Sequence, residues 1–164
     1  PVHVHGERVS STRIREALRG GEFAHAAALL GRPYTIGGRV VRGRQLGRTL
    51  GFPTANLRFP STPALSGLSA TRVHGEVDGG RQWWPSVSSF GTRPTVHGVE
   101  PLLEAHLFDF DGDLYGRHLE VEFVARLRDE EKFPDLATLT AQMHRDAVDA
   151  RRILSESEPL RATA

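Results

Sequence analysis

The sequence predicts a mainly β fold, a small antiparallel barrel with helices at both ends. Three patterns predict it. From Tyr34 to about Arg128 the chain is rich in Gly, Pro, Val and Phe, and apolar residues recur at every second position, the period of a strand with one buried face. Residues 10–30 and 135–154 instead repeat at helical spacing. Turn signals divide the middle into many short strands, the usual signature of a closed antiparallel sheet.

In chain order, Ser10, Ser11 and Thr12 offer N-cap hydroxyls to a first helix, along which Ile14, Ala17 and Leu18 share one face. Gly20-Gly21 breaks it, residues 22–30 resume it, and Gly31 is the expected stop. From Tyr34 the period becomes two, with Tyr34, Ile36, Gly38 and Val40 on one face. Of the adjacent Trp83 and Trp84, only one can face a core. The clearest strand is 118–127, where Leu119, Val121, Phe123, Ala125 and Leu127 alternate with His118, Glu120, Glu122, Val124 and Arg126. Leu102 to Phe110 is its predicted antiparallel partner, joined to it across Asp111-Gly112-Asp113, because Asp-Gly favours hairpin turns. A last helix begins near Asp135, after Pro134, with Leu136, Leu139, Met143, Ala147, Ala150 and Leu154 in one stripe. From Ser155 the chain is polar and expected to fray.

A length of 164 residues predicts one domain with a sizeable core. The net charge of +1 gives no global attraction to nucleic acid or to a membrane; the basic residues cluster locally at 39–48 and 126–128. The absence of cysteine excludes disulfides, thiolate catalysis and Cys-ligated zinc. No apolar run approaches the roughly 20 residues of a spanning helix. Pro1-Val-His-Val-His5 has neither a Met nor a signal-peptide pattern, so the chain is read as cytoplasmic and as a piece of something longer.

Chemistry concentrates in Gly47-Arg-Thr-Leu-Gly-Phe-Pro-Thr-Ala-Asn56, which follows Gly37, Gly38, Arg39, Arg42, Gly43 and Arg44. Glycines let backbone approach a polyanion, arginines neutralise it, and Thr54 and Asn56 add a hydroxyl and a carboxamide two residues apart. This pattern points to a phosphate and metal site, although the Gly-Lys-Ser/Thr ending of a Walker A loop is missing. Glu104, inside a predicted strand, is either a solvated surface carboxylate or a general base. Asp109, Asp111 and Asp113 imitate the start of a calcium loop, but Leu114 stands where Gly is required, which favours an acidic turn. His106 and His118 lie on strands and read as packing or hydrogen-bonding groups; His3 and His5 fall in an expected tail, and no histidine is assigned to a metal. The segment 127–133, Leu-Arg-Asp-Glu-Glu-Lys-Phe, is a charged connection whose terminal aromatic suits a lid over a planar ligand.

With Gly31-Arg-Pro-Tyr34, Gly91-Thr-Arg-Pro-Thr95 and Leu103-Glu-Ala-His-Leu-Phe-Asp-Phe-Asp-Gly-Asp-Leu-Tyr-Gly116 added, the chain resembles the riboflavin kinase module of bacterial bifunctional riboflavin kinase/FAD synthetases, over about residues 31–154. The resemblance implies a six-stranded antiparallel barrel with a long C-terminal helix. It also implies transfer of the γ-phosphoryl of ATP to the ribityl 5′-hydroxyl of riboflavin, giving FMN and ADP. It assigns Glu104 as the general base, and Gly43, Gly47, Arg48, Pro53, Thr54 and Asn56 to ATP and phosphate. Thr54 and Asn56 would organise Mg²⁺, and Arg128 and Phe133 would lie at the flavin. Val9-Ser-Ser-Thr-Arg-Ile-Arg15 resembles the closing motif of the family's FMN adenylyltransferase domain, so residues 1–30 are read as a remnant of that domain or its linker, 31–154 as the kinase domain and 155–164 as a flexible tail.

The chain departs from the family at Ser69, at Ser88-Ser89 and at the loop His97-Gly-Val-Glu100, which puts flavin affinity and analogue choice in question. Three alternatives stand beside the kinase reading. One is a non-catalytic flavin- or nucleotide-binding barrel. Another is a kinase module needing its FMN adenylyltransferase partner domain for FAD synthesis. The third, a nucleic-acid-binding barrel using Arg39, Arg42, Arg44 and Arg48, lacks aromatic platforms among residues 37–51.

Overall fold

Six antiparallel strands close into a ring, and the alternation read from the sequence decides which side of the wall each residue takes. The structure is a computed structural model and describes residues 3–4, 7–8, 11–42, 52–58 and 64–156. A short pair, β1 (His3–Val4) and β2 (Glu7–Arg8), precedes two helices, α1 (Ser11–Arg19) and α2 (Phe23–Leu30). The barrel strands are β3 (Thr35–Val41), β4 (Thr54–Arg58), β5 (Leu68–Val77), β6 (Gly80–Thr95), β7 (Gly98–Leu107) and β8 (His118–Arg128), in the ring order β3-β4-β7-β6-β5-β8. Helix α3 (Leu136–Glu156) packs on the outside.

Side chains fill the lumen. Ala55 and Leu57 of β4, Leu103, Ala105 and Leu107 of β7, and Leu119, Val121 and Phe123 of β8 form one buried cluster. The Phe90 ring lies parallel to Phe123, with centroids 6.0 Å apart. One region of this core is completed by α1 and α2, whose Ala17, Leu18, Phe23 and Ala26 belong to the same cluster; Phe23 meets the Phe123 ring edge-on at 5.7 Å. Trp84 joins the core and Trp83 stays partly exposed, as two neighbours on one strand must. A second cluster lies outside the wall, where Ala147, Ala150 and Leu154 of α3 cover Ala70, Val87 and Phe108. Asp135 caps α3, accepting hydrogen bonds of 2.7 Å from the backbone N–H and the hydroxyl of Thr138. The helix continues through Ser155 and Glu156, where fraying was expected.

Two expectations are corrected. First, β7 and β8 do not pair. β4 occupies the place beside β7, with Asn56 opposite Glu104, and β3 occupies the place beside β8, with Ile36 opposite Val121. Asp111-Gly112 lies in a ten-residue connection, 108–117, which turns across the end of β3 through bonds of 2.9–3.0 Å to Val40. The tight hairpin signal belongs instead to Asp78-Gly79, between β5 and β6, where both residues take positive φ (52° and 79°). Second, the alternation of β8 fails beyond Phe123. Register shifts against β5 insert extra residues, so Val124 and Leu127, predicted on opposite faces, both join the outer cluster.

A buried ion pair ties β5, β8 and α3 together. Arg72, 1% exposed, donates from Nη1 to Glu122 Oε2 at 2.7 Å, His74 Nε2 lies 2.9 Å from Glu122 Oε1, and Arg72 Nη2 reaches the Leu154 carbonyl near the end of α3 at 3.5 Å. Burial pushes the Glu122 carboxyl up, but the bonds and charges of His74 and Arg72 outweigh it and hold it below its usual value of 4.5. A carboxylate with a lowered folded-state pKa stabilises the fold above its ordinary pKa and loses that contribution as pH falls through the lowered one.

Two outcomes are expected. Phe23→Ala should lower unfolding stability by about 3 kcal/mol in urea denaturation; a loss near zero would mean that α1 and α2 are not part of the core. Glu122→Gln should cost on the order of 3 kcal/mol at neutral pH by leaving Arg72 without its counter-charge. The gap to the wild type should close as pH falls below 4.5. A gap independent of pH would show that the charge on Glu122 contributes nothing.

Candidate active site

The outward faces of three neighbouring strands lay six residues in two rows. Thr54 of β4, His106 of β7 and Val87 of β6 stand side by side; Asn56, Glu104 and Ser89 form the next row. Their chain neighbours Ala55, Leu103, Ala105 and Leu107 point into the lumen, which leaves these six to face the space under α3. There they floor a cavity of about 250 Å³. Leu139, Met143 and Asp146 of α3 form one wall, and Arg128, Glu130, Glu131 and Phe133 another. At about 30 Å³ per liquid water, this is room for an organic group rather than one solvent molecule.

The apolar stripe of α3 therefore divides. Its second half packs on the barrel, while Leu139 and Met143 in its first half stand over the cavity and Leu136 is exposed.

Thr54 Oγ1 lies 2.9 Å from His106 Nδ1 and 3.3 Å from the carbonyl oxygen of Phe52. Burial pushes the His106 imidazole down to about 4, so it is neutral at neutral pH, with one ring nitrogen donating and the other accepting. Glu104 has room for its carboxylate because Gly91 lacks a side chain. A Cβ there would stand 3.0 Å from Glu104 Oε1, 3.1 Å from Cδ and 3.3 Å from Oε2.

Arg128 is not a free cation. Its Nε donates to Asp146 Oδ1 and Oδ2 at 3.0 and 3.2 Å, and its Nη2 to Oδ2 at 2.9 Å. Asp146, 3% exposed, also accepts from Gln142 Nε2 at 2.9 Å. The neutralised guanidinium lies 5.6 Å from the centroid of the Phe133 ring, so the pair offers flat surface rather than charge to a ligand.

A second, smaller cavity of about 70 Å³ opens on the other side of β4, lined by Val40, Arg42, Pro53, Asp113, Leu114 and Tyr115 among others. The Arg42 guanidinium sits 4.6 Å from the Tyr115 ring centroid. Thr54 and Asn56 line both cavities.

Of the residues singled out from sequence, Thr54, Asn56, Glu104, Arg128 and Phe133 thus converge on the larger cavity, and Pro53 lines the smaller. Gly43, Gly47 and Arg48 lie outside the described residues. The three aspartates separate: Asp109 binds Arg151 in a bidentate pair at 2.6 and 2.9 Å, Asp113 accepts from the Tyr115 backbone N–H, and Asp111 shares neither partner. Ser69 and Ser88 face each other inside the barrel, where Ser88 Oγ is 2.7 Å from Thr71 Oγ1, so neither lines the larger cavity; Ser89 does. Sequence reasoning read His106 only as a packing or hydrogen-bonding group, noted Ser89 only as a departure from the family and passed over Asp146. The two-residue step from Glu104 marks His106 as its same-face neighbour, and Asp146 is a carboxylate set within an otherwise apolar helix face.

Thr54 and Asn56 supply neutral oxygen donors, and among the described residues no three His, Asp or Glu side chains converge on one point. That donor set fits Mg²⁺, which takes few protein ligands and completes its octahedron with phosphate oxygens and water.

Comparison with known proteins identifies the family. A family model described as "Flavokinase: Riboflavin kinase" matches residues 30–154. The bifunctional riboflavin kinase/FMN adenylyltransferase of Escherichia coli (strain K12) is 46% identical over 156 residues, which are 94% of this chain and 49% of that protein. The chain therefore spans about half the length of the curated relatives it matches. A crystal structure from Streptococcus pneumoniae, described as a macrolide-efflux protein, shares 36% identity with a TM-score of 0.75, covering 92% of this chain and 49% of that one. Riboflavin kinase from Trypanosoma brucei shares the fold, with a TM-score of 0.52 at 24% identity over 75% of this chain and 80% of that one. No helix among the described residues is long and apolar enough to cross a membrane. A six-stranded barrel carrying this outer-face constellation, matched by the family model along three-quarters of its length, places the chain in the riboflavin kinase family.

Proposed function

We propose that the chain phosphorylates riboflavin, transferring the γ-phosphoryl of ATP to the ribityl 5′-hydroxyl to give FMN and ADP. One observation carries this reading: Thr54 and Asn56 form a wall common to two cavities, one flat-sided and largely apolar, the other smaller and of mixed polarity with Arg42 and Asp113 in its lining. A flavin in the first and a nucleotide in the second would meet at those two side chains. The segment 43–51, with Gly43, Gly47 and Arg48, leads into β4 and is proposed to hold the phosphates together with Pro53. The relatives' names and the family match support the same substrates.

In this reading Arg128 and Phe133 flank the isoalloxazine ring, and the loop that bears Phe133 shields the reacting atoms from water. The ribityl chain runs along the floor toward Glu104. The 5′-oxygen attacks the γ-phosphorus as the bond to the β,γ-bridging oxygen breaks; the hydroxyl proton goes to Glu104 and ADP leaves. Mg²⁺, held through Thr54 and Asn56, supplies charge neutralisation at the phosphates when bound. Residues 1–30 are proposed to be the junction with an FMN adenylyltransferase domain, the natural partner of this one, which would convert the FMN to FAD.

Incubation with riboflavin, ATP and Mg²⁺ should yield equal amounts of FMN and ADP by chromatography. Flavin fluorescence quenching without ADP would instead establish a binding protein. Glu104→Gln should lower kcat by about 10²–10⁴ while riboflavin affinity, read by fluorescence, stays within a few-fold; normal turnover would remove Glu104 from the mechanism. Gly91→Ala should crowd the Glu104 carboxylate and lower kcat by about tenfold, the effect of misplacing a catalytic group, and a loss confined to KM would contradict the role of Gly91.

A further inference from the structure

We propose that His106 is a positioning residue for phosphoryl transfer: its Nδ1 accepts the Thr54 hydroxyl proton and so turns the Oγ1 lone pairs toward the cation and the phosphates. This rests on the reading that Thr54 serves the nucleotide–metal site.

One proton faces two acceptors at Thr54. The Thr54 hydroxyl can donate to His106 Nδ1 at 2.9 Å or to the Phe52 carbonyl at 3.3 Å, and the shorter contact is the better bond. Donation to Phe52 would require His106 to donate its own Nδ1–H to Oγ1, consuming a lone pair that a cation needs. Donation to His106 leaves both lone pairs free. Backbone geometry makes the choice durable. Thr54 and His106 are directly paired across β4 and β7, one step from the Asn56–Glu104 pair, so the contact is built by the same register as the rest of the site. The branched threonine side chain has few χ1 options, which leaves the hydroxyl hydrogen as its main free rotor. Without an acceptor at residue 106 only the longer, weaker contact to the Phe52 carbonyl at 3.3 Å is left to hold that hydrogen away from the cation. His106 also lines the larger cavity, so the contact sits on the wall between the two substrates.

This arrangement makes the neutral imidazole the Nε2–H tautomer. Nitrogen-15 NMR on the full chain should show His106 Nδ1 as an unprotonated, pyridine-type nitrogen. A protonated Nδ1 overturns the proposal and needs no variant that has to fold. A second measurement uses variants whose folding is checked by thermal melts. His106→Phe should weaken Mg²⁺-dependent ADP binding in calorimetry and kcat/KM for Mg·ATP by about tenfold, the loss of one well-placed hydrogen bond. His106→Asn, whose carboxamide oxygen can occupy the Nδ1 position, should recover most of it. In a Thr54→Val background, His106→Phe should cost nothing further, because its effect passes through the hydroxyl. Additive losses, or no rescue by Asn, would make His106 merely structural. If Thr54→Val itself leaves Mg·ATP binding and turnover intact, the assignment of Thr54 fails and the proposal with it. If Thr54→Val is damaging and His106→Phe is silent, only the role of His106 falls.

Discussion

The pairing of β4 with β7 is the constraint on which the rest depends. A six-stranded barrel is narrow enough for side chains to fill, so its functional groups cannot sit inside; they must occupy the outer face of the wall. Alternation then ties lumen and chemistry together. Ala55, Leu57, Leu103, Ala105 and Leu107 hold the register by being buried, each fully buried leucine contributing about 1.5–3 kcal/mol. The residues between them are thereby aimed outward. A slip of one residue would send Thr54, Asn56, Glu104 and His106 into a close-packed core and bring the leucines out. Core stability and site geometry are one property of this ladder seen from its two sides.

Helix α3 turns that exposed face into an enclosed one. Ala147, Ala150 and Leu154 press it against the outer cluster, and the Arg72–Glu122 pair receives its last turn. The opposite half is held off the wall, leaving space beneath Leu139 and Met143. Asp146 stands where the packed half meets the open one and bonds Arg128 at the end of β8. A buried carboxylate at that point needs its cation, and the guanidinium held there needs a flat neighbour, which Phe133 supplies. The electrostatics of α3 thus set the position of the loop that borders the cavity.

Much of this was legible in the sequence because it obeys local periods. The strand face of Glu104, the helix stripe, the breaks at Gly20-Gly21 and Gly31, and the Thr54–Asn56 spacing all follow from residues close together in the chain. Ring order was not legible. β4 and β7 are about fifty residues apart, and nothing local states that Asn56 stands opposite Glu104. Two Asp-Gly dipeptides carry the same hairpin signal, yet only Asp78-Gly79 is flanked by strands that pair with each other. The bulges of β8 defeat a strict two-residue count, which sent Leu127 to the wrong face. Asp146 was missed because a carboxylate beside an apolar stripe normally faces water; here its partner arrives from another element. Ser69 and Ser88, which had raised doubt about the flavin site, are register partners on the adjacent strands β5 and β6, buried on the side of the wall away from the larger cavity.

The contribution of α1 and α2 to the lumen separates two kinds of boundary. The match to the family model begins at residue 30, whereas Ala17, Leu18, Phe23 and Ala26 lie upstream of it in the same hydrophobic cluster as Phe123. The stretch matched by the family model and the cooperative core therefore begin at different places in this polypeptide. Any displacement of α1 or α2 is therefore felt by the barrel's own interior.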